Sequence, residues 1–257
     1  MKAIKRIGIF DSGLGGLSTL MFLEERFPYL SKVFVADYAN NPYGLKSSEE
    51  IKKIVVENIK RLERLDVDLI IIACNTASVY SCDIESVVPI LRITDFVIEE
   101  LEKTYAGEVV YLFATNKTVE STYFEERLKE SNINITSIKA SSLVPLIEGN
   151  NTSDSIIKNE VKALTNNISI KENDLVVIGC THFNYIKEII SNVLGASKFI
   201  NGHGKLEEYL KGLNISNNQF KEMTRIISTS SKNNMREELN EIGYFSMSEY
   251  QRLKKQK

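Results

Sequence analysis

Apolar and polar positions alternate between two periods along almost the whole chain, strand-like runs giving way to helical ones. Residues 6–10 (RIGIF) predict a strand, the turn DSGLGG follows at 11–16, and a helix is expected over 17–26. A second strand at 33–36 leads through the loop NNPYG (40–44) into a helix over 49–65. There Ile51, Ile54, Val55, Ile59 and Leu62 recur at helical spacing. The apolar run 69–73 is a third strand and delivers Cys74, with Cys82 on the helix after it. The pattern restarts near Gly107. A strand at 108–113, a turn ATNKTVEST (114–122), a helix at 123–129, a strand at 135–139, a helix at 156–164 and a strand at 175–178 follow, the last delivering Cys180. Residues 150–155 (NNTSDS) read as an exposed loop. From Gly204 onward a helix-rich tail is expected to pack back on the first half.

Strands alternating with helices at this spacing indicate an α/β fold with mainly parallel sheets. Two phrases make the halves look like copies: residues 68–78 read DLIIIACNTAS and residues 174–184 read DLVVIGCTHFN. The offset between matching elements stays near one hundred residues, so two similar domains related by pseudo-twofold symmetry are expected. The first would comprise 1–96 with the returning segment 206–257, the second 97–205. A buried strand that ends in Cys and small polar residues puts the thiol at the carboxyl edge of a parallel sheet, where open α/β sheets bind ligands. Two such edges face to face would hold Cys74 and Cys180 across one cleft.

Composition narrows the reading. The chain has 257 residues, 43% apolar and 26% charged, with a net charge of -2, which suits a globular protein and argues against nucleic acid as a partner. No apolar run approaches a membrane span, and the basic start meets Asp11 before any signal-peptide core can form, so a cytoplasmic location is expected. Three cysteines without Cys-x-x-Cys or Cys/His spacing argue against a metal site and against a disulfide framework. The terminal KKQK reads as a solvated end.

A free cysteine at a strand end is by itself commonly an inert small hydrophobe. Two in matched contexts, each followed by hydroxyl and amide or imidazole groups, are better read as chemistry. An unperturbed thiol near pKa ~8.5 is only a few per cent ionised at neutral pH, so one must be stabilised as thiolate while the other stays protonated. Asp11 beside Cys74 and His182 beside Cys180 are the candidate proton managers. The turn DSGLGG, with Ser12 and its backbone amides, would cradle a carboxylate rather than a pyrophosphate, since the G-x-G-x-x-G spacing fails. The TNKT turn at 115–118 would offer hydroxyls in the matching place. Asn75, Thr76 and Thr181 would be partners for an amino acid's ammonium and carboxylate.

The motifs DSGLGGL, PYG, ACNTAS and GCTH, in this order and spacing, resemble the glutamate racemases of the aspartate/glutamate racemase family, with support from ATNKTV and LVPLIE. The resemblance covers most of residues 7–185 and fades after Phe199. It implies two similar α/β domains with the active site between them and Cys74 and Cys180 as the two acid/base residues, with no cofactor. Substrate glutamate would be lined by Asp11, Ser12, Tyr43, Gly44, Asn75, Thr76, Thr118, Thr181 and His182, while Glu148, with Asp11 and His182, would tune the thiols. It further implies D-glutamate supply for bacterial peptidoglycan and, by resemblance alone, a homodimer. The chain departs from the family pattern at Asn184, where proline is usual, at 92–96 (RITDF), at Ser141 and Ser142 and in the tail.

Pyridoxal phosphate would need a Schiff-base lysine, and no lysine occupies a matching sheet-edge motif. The alternatives are a racemase of another amino acid, such as aspartate, on the same scaffold, or a non-catalytic two-domain amino-acid-binding protein. A redox role for the cysteine pair is weaker, because it lacks a Cys-x-x-Cys motif.

Overall fold

The computed structural model describes residues 3–149, 152–216 and 224–229. The first half runs β1 (Arg6–Asp11), α1 (Leu17–Arg26), β2 (Ser31–Ala36), α2 (Ser48–Glu63), β3 (Leu69–Ile72), α3 (Asn75–Val79), β4 (Ile90–Arg92) and α4 (Ile93–Thr104). The second runs β5 (Val109–Ala114), α5 (Asn116–Glu120), α6 (Tyr123–Leu128), β6 (Asn134–Lys139), α7 (Leu143–Glu148), α8 (Asp154–Thr165), β7 (Leu175–Gly179), α9 (Lys187–Leu194) and β8 (Lys198–Ile200). After these come α10 (His203–Lys211) and β9 (Arg225–Ser228).

Two parallel sheets result, in the orders β4-β3-β1-β2-β9 and β6-β5-β7-β8. The repeat is visible in the pairing. β5 lies between β6 and β7 as β1 lies between β2 and β3, and β8 flanks β7 as β4 flanks β3. This is the α/β, two-sheet architecture that the alternating pattern predicts.

Strand alternation decides what each sheet face buries. In the first sheet Ile7, Ile9, Leu69 and Ile71 join a core with Leu20 and Leu23 of α1 and Leu206 and Leu210 of α10. Phe10, Ile70 and Ile72 point the other way, onto Ile51, Val55 and Leu62 of α2. Gly8 leaves room for this packing, since a Cβ there would come within 2.9 Å of Leu62 and force its side chain to shift. In the second sheet Phe113, Val176 and Ile178 pack on Ile157 and Val161 of α8. Val110, Leu112 and Val177 pack on Val97, Ile98 and Leu101 of α4. Since Ile93 and Phe96 of the same helix belong to the first core, α4 is shared by both halves.

Several local expectations change. The stretch 114–122 contains α5, started by Thr115, whose hydroxyl caps Thr118 N–H, so it is more than a turn. α3 ends at Val79, leaving Cys82 on the exposed turn beyond it. Within 150–155 the helix α8 already begins at Asp154, and residues 150 and 151 lie outside the described residues. The tail holds α10 as expected, and it also supplies the edge strand β9 to the first sheet through β2. Residues 217–223 and 230–257, KKQK included, lie outside the described residues.

Candidate active site

Both sequence phrases end where predicted. Cys74 follows β3 and starts α3, accepting the Ala77 N–H on its sulfur at 3.4 Å. Cys180 follows β7 and precedes the 3-10 turn Thr181–Ile186. Each thiol is 6% exposed. They therefore sit at the carboxyl ends of equivalent strands in the two sheets.

Contacts between the halves join the two positions. The Ser12 hydroxyl lies 3.4 Å from the Cys74 sulfur. Its neighbour Asp11 is fully buried, takes the Gly13 N–H at 2.9 Å, and accepts the Thr181 hydroxyl at 3.1 Å. Thr181 is the residue after Cys180. The glycine turn fits tightly against this region. A Cβ on Gly15 would lie 2.3 Å from Thr181 Oγ1 and 2.5 Å from His182 Nδ1, and one on Gly13 would lie 3.3 Å from Glu148 Oε1. Only glycine allows the first-half backbone to approach so closely.

His182 bridges sulfur and carboxylate. Its Nδ1 is 3.7 Å from Cys180 Sγ and its Nε2 is 2.8 Å from Glu148 Oε1. Burial would lower the imidazole pKa, but the Cys180 and Glu148 contacts and the negative charges of Cys180 and Asp11 outweigh it and raise the value to about 10. At neutral pH the ring is thus an imidazolium donating on both sides. Cys74 differs: burial, then the Asp11 charge, pushes its thiol up to about 12, and Cys180 adds to the rise. Cys74 is therefore held as the thiol at neutral pH.

The remaining expected residues divide into two groups. Thr76 bonds across the halves to Thr115 at 2.9 Å and Thr118 at 3.1 Å, and Thr115 and Thr118 are 2.9 Å apart. These hydroxyls stitch α3 to α5. Asn75 Oδ1 is buried without a hydrogen-bond partner, a state that costs about 1–3 kcal/mol and that a ligand donor would relieve. Tyr43 is buried, its hydroxyl donates to Asp37 Oδ2 at 2.8 Å, and its ring packs near Phe10 on the α2 side of the first sheet. Gly44 is exposed, with nothing within 4 Å of a Cβ position. Sequence reasoning missed Asp37, which also accepts from Asn58 at 2.9 Å and from Thr229 at 2.7 Å and so anchors this loop. It missed Ser18 as well. Such long-range partners have no signature at fixed spacing.

Among the described residues no cluster of three or more His, Cys, Asp or Glu is placed to hold a metal. Among them also no helix is long and apolar enough to cross a membrane.

Residues 23–202 match the family model described as Asp/Glu/Hydantoin racemase. The chain belongs to the Asp/Glu/hydantoin racemase family. It is 30% identical to a glutamate racemase of Aquifex aeolicus over 80% of this chain and 82% of that relative. It is 31% identical to one of Persephonella marina over 82% and 83%. Among solved structures it is similar to the glutamate racemase of Campylobacter jejuni (TM-score 0.79, 27% identity, 93% of this chain and 97% of that one). It is also similar to that of Francisella tularensis in complex with D-glutamate (TM-score 0.75, 28% identity, 88% of each). The two-sheet fold described above is thus the fold of this racemase family.

Asp11 offers a test of the site's electrostatics. Burial, opposed by the His182 charge and by donors from Gly13, Thr181 and Gly16, raises its pKa from 3.8 to about 6. A carboxyl raised on folding contributes stability that is full below about 3.8 and lost as pH rises through about 6, so the ionised group is a cost at neutral pH. Asp11→Asn is expected to raise the thermal midpoint relative to the parent by about 2–4 °C at pH 7.5 and much less at pH 4. Thermal unfolding followed by circular dichroism at both pH values checks this. An equal shift at both would contradict it.

Proposed function

We propose that this protein interconverts L- and D-glutamate by a cofactor-independent mechanism in which Cys74 and Cys180 act on opposite faces of the α-carbon. The reading is supported chiefly by the two thiols at equivalent strand ends, tied together through Ser12, Asp11 and Thr181. Relatives named glutamate racemase support the choice of substrate.

In one direction a thiolate takes the α-proton and becomes a thiol, leaving a carbanion whose charge spreads into the carboxylate. The opposite thiol gives its proton to the other face and becomes a thiolate. The reverse reaction exchanges the roles. The family resemblance assigns Cys180 to deprotonating L-glutamate and Cys74 to deprotonating D-glutamate, and in keeping with this the His182 imidazolium lies 3.7 Å from the Cys180 sulfur while burial holds Cys74 as the thiol. Charge growing on the substrate carboxylate needs fixed donors, as in an oxyanion hole. Ser12, the Leu14 and Gly15 amides and the Thr76 and Thr118 hydroxyls are the groups assigned to it, while Gly13, Gly16 and Thr181 already donate to Asp11. The orphaned Asn75 Oδ1 is assigned to the substrate ammonium. Tyr43 and Gly44 would close one side, and Glu148 would hold His182 in its charged form.

In this reading residues 1–96 with 206–257 form one domain and 97–205 the other, and their closure excludes water from the cleft. The product would be D-glutamate for peptidoglycan, made in the cytoplasm by a homodimer. Purified full-length protein incubated with each amino acid of a panel, without added cofactor, tests the reading by chiral chromatography. Glutamate is expected to racemise fastest. Activity that requires pyridoxal phosphate, or that prefers another amino acid, would overturn it.

A further inference from the structure

Asn184 stands just beyond the GCTH motif and has no role in the chemistry above. Its side-chain amide is nevertheless fully engaged. Nδ2 donates to the Thr181 carbonyl at 3.1 Å and to Ser18 Oγ at 3.3 Å, while Oδ1 accepts from Asn201 Nδ2 at 2.7 Å. Ser18 lies on α1 of the first half and gives its own proton to the Gly15 carbonyl at 2.8 Å. One carboxamide therefore holds the turn after Cys180, the glycine turn facing it, and the residue that follows β8.

The far end of this strap is equally complete. Asn201 has two amide protons, one on Asn184 and the other 3.2 Å from His203 Nδ1. His203 Nδ1 must then be the acceptor, so its Nε2 carries the proton and donates to Thr19 Oγ1 at 3.0 Å, again on α1. The Asn201 oxygen takes the His203 backbone N–H at 3.1 Å, and the His203 ring stacks on Phe22 of α1, with centroids 4.6 Å apart. The side-chain amides of Asn184 and Asn201 and both ring nitrogens of His203 thus all have partners, and both ends of the strap rest on the same helix.

We propose that Asn184 is a positioning residue, whose strap from Ser18 to Asn201 fixes the Cys180–His182 turn against the Gly15 turn and so sets where the second thiol stands. The strap's effect on rate rests on the racemase reading, and its effect on the turn rests on the hydrogen bonds alone. A residue acting this way changes turnover rather than binding, because a small misplacement of an acid/base group is costly even when its own contacts survive.

The test compares the full-length parent with Asn184→Ala, Ser18→Ala and the double variant. Asn184→Ala is expected to lower kcat about tenfold or more, with KM changed less than twofold and the thermal midpoint close to the parent's. The double variant is expected to lose no more than about twofold beyond the stronger single variant, since both changes cut one strap. Hydrogen exchange of the amides at 180–184 is expected to quicken at least tenfold in Asn184→Ala, while those of β1 and β7 keep the parent's rates. A parent that fails to racemise glutamate would reject the functional reading, and the exchange measurement would still decide on the strap. Unchanged exchange at 180–184, quickening spread evenly along the chain, additive losses, or kcat within twofold of the parent would each overturn the proposal.

Discussion

Cys74→Ala and Cys180→Ala are each expected to lose racemisation by at least about 1,000-fold, near the upper range for removing a positioned acid or base. The losses should differ in kind. With one thiol left, a proton can leave and return on the same face, so each variant retains solvent exchange into only one enantiomer without inverting it. Cys180 remaining alone should exchange L-glutamate, and Cys74 remaining alone should exchange D-glutamate. Nuclear magnetic resonance of the α-proton in heavy water separates these outcomes from simple inactivation. Cys82→Ala is the control, because that side chain sits on an exposed turn and should leave rates unchanged. Near-normal racemisation by either of the first two variants would remove that cysteine from the mechanism.

The second large effect is expected at a residue with no side chain. In Gly15→Ala the new methyl would stand 2.3 Å from Thr181 Oγ1 and 2.5 Å from His182 Nδ1, distances no packed structure keeps. Either the glycine turn or the Thr181–His182 turn must move, with an overpacking cost of about 1–3 kcal/mol. That displacement also disturbs the Thr181 bond to Asp11 and the His182 contact with Cys180. A fall in kcat of about 100-fold or more is expected, with the folded state retained, as read by steady-state kinetics beside thermal unfolding. Gly204→Ala provides the comparison. It lies on α10 with nothing within 4 Å of the new carbon, and alanine is the better helix former. If Gly15→Ala is as active as Gly204→Ala, the close approach of the two turns is not part of the working enzyme.

The sequence carried most of the architecture because its strands are short apolar runs with clear ends, and α1 occupies the same residues, Leu17–Arg26, that its pattern predicts. The start of α2 was legible too. Ser47 and Glu50 form a capping box, a signal that places the helix one residue earlier than the apolar periodicity alone. Helix α4 has a readable signal as well, in Ile93, Phe96, Val97, Ile98 and Leu101, although its first residues fall in the 92–96 stretch that departs from the family motif. Strand β9 is different. Arg225–Ser228 is four residues long, and only its pairing with β2 distinguishes it from the end of a helix-rich tail.

At the site, the repeated phrases placed both thiols at strand ends, and local order placed His182 beside Cys180. The hydrogen-bonded pairs that tie the site together were not visible as a spacing. Thr181 with Asp11, Glu148 with His182, and Thr76 with Thr115 and Thr118 are far apart in sequence and obey no periodicity. Asp37 and Asn184 were hidden for the same reason, since each acts through partners brought together only by the packed sheets and α1.

The central claim is that protons leave and arrive on opposite faces through different sulfur atoms. The most direct measurement follows the first turnovers of the parent enzyme with protiated L-glutamate in heavy water. The account predicts that newly formed D-glutamate carries solvent deuterium at the α-carbon while the remaining L-glutamate is still protiated. D-glutamate that keeps the substrate's own α-proton would mean that one group serves both faces, and would contradict it.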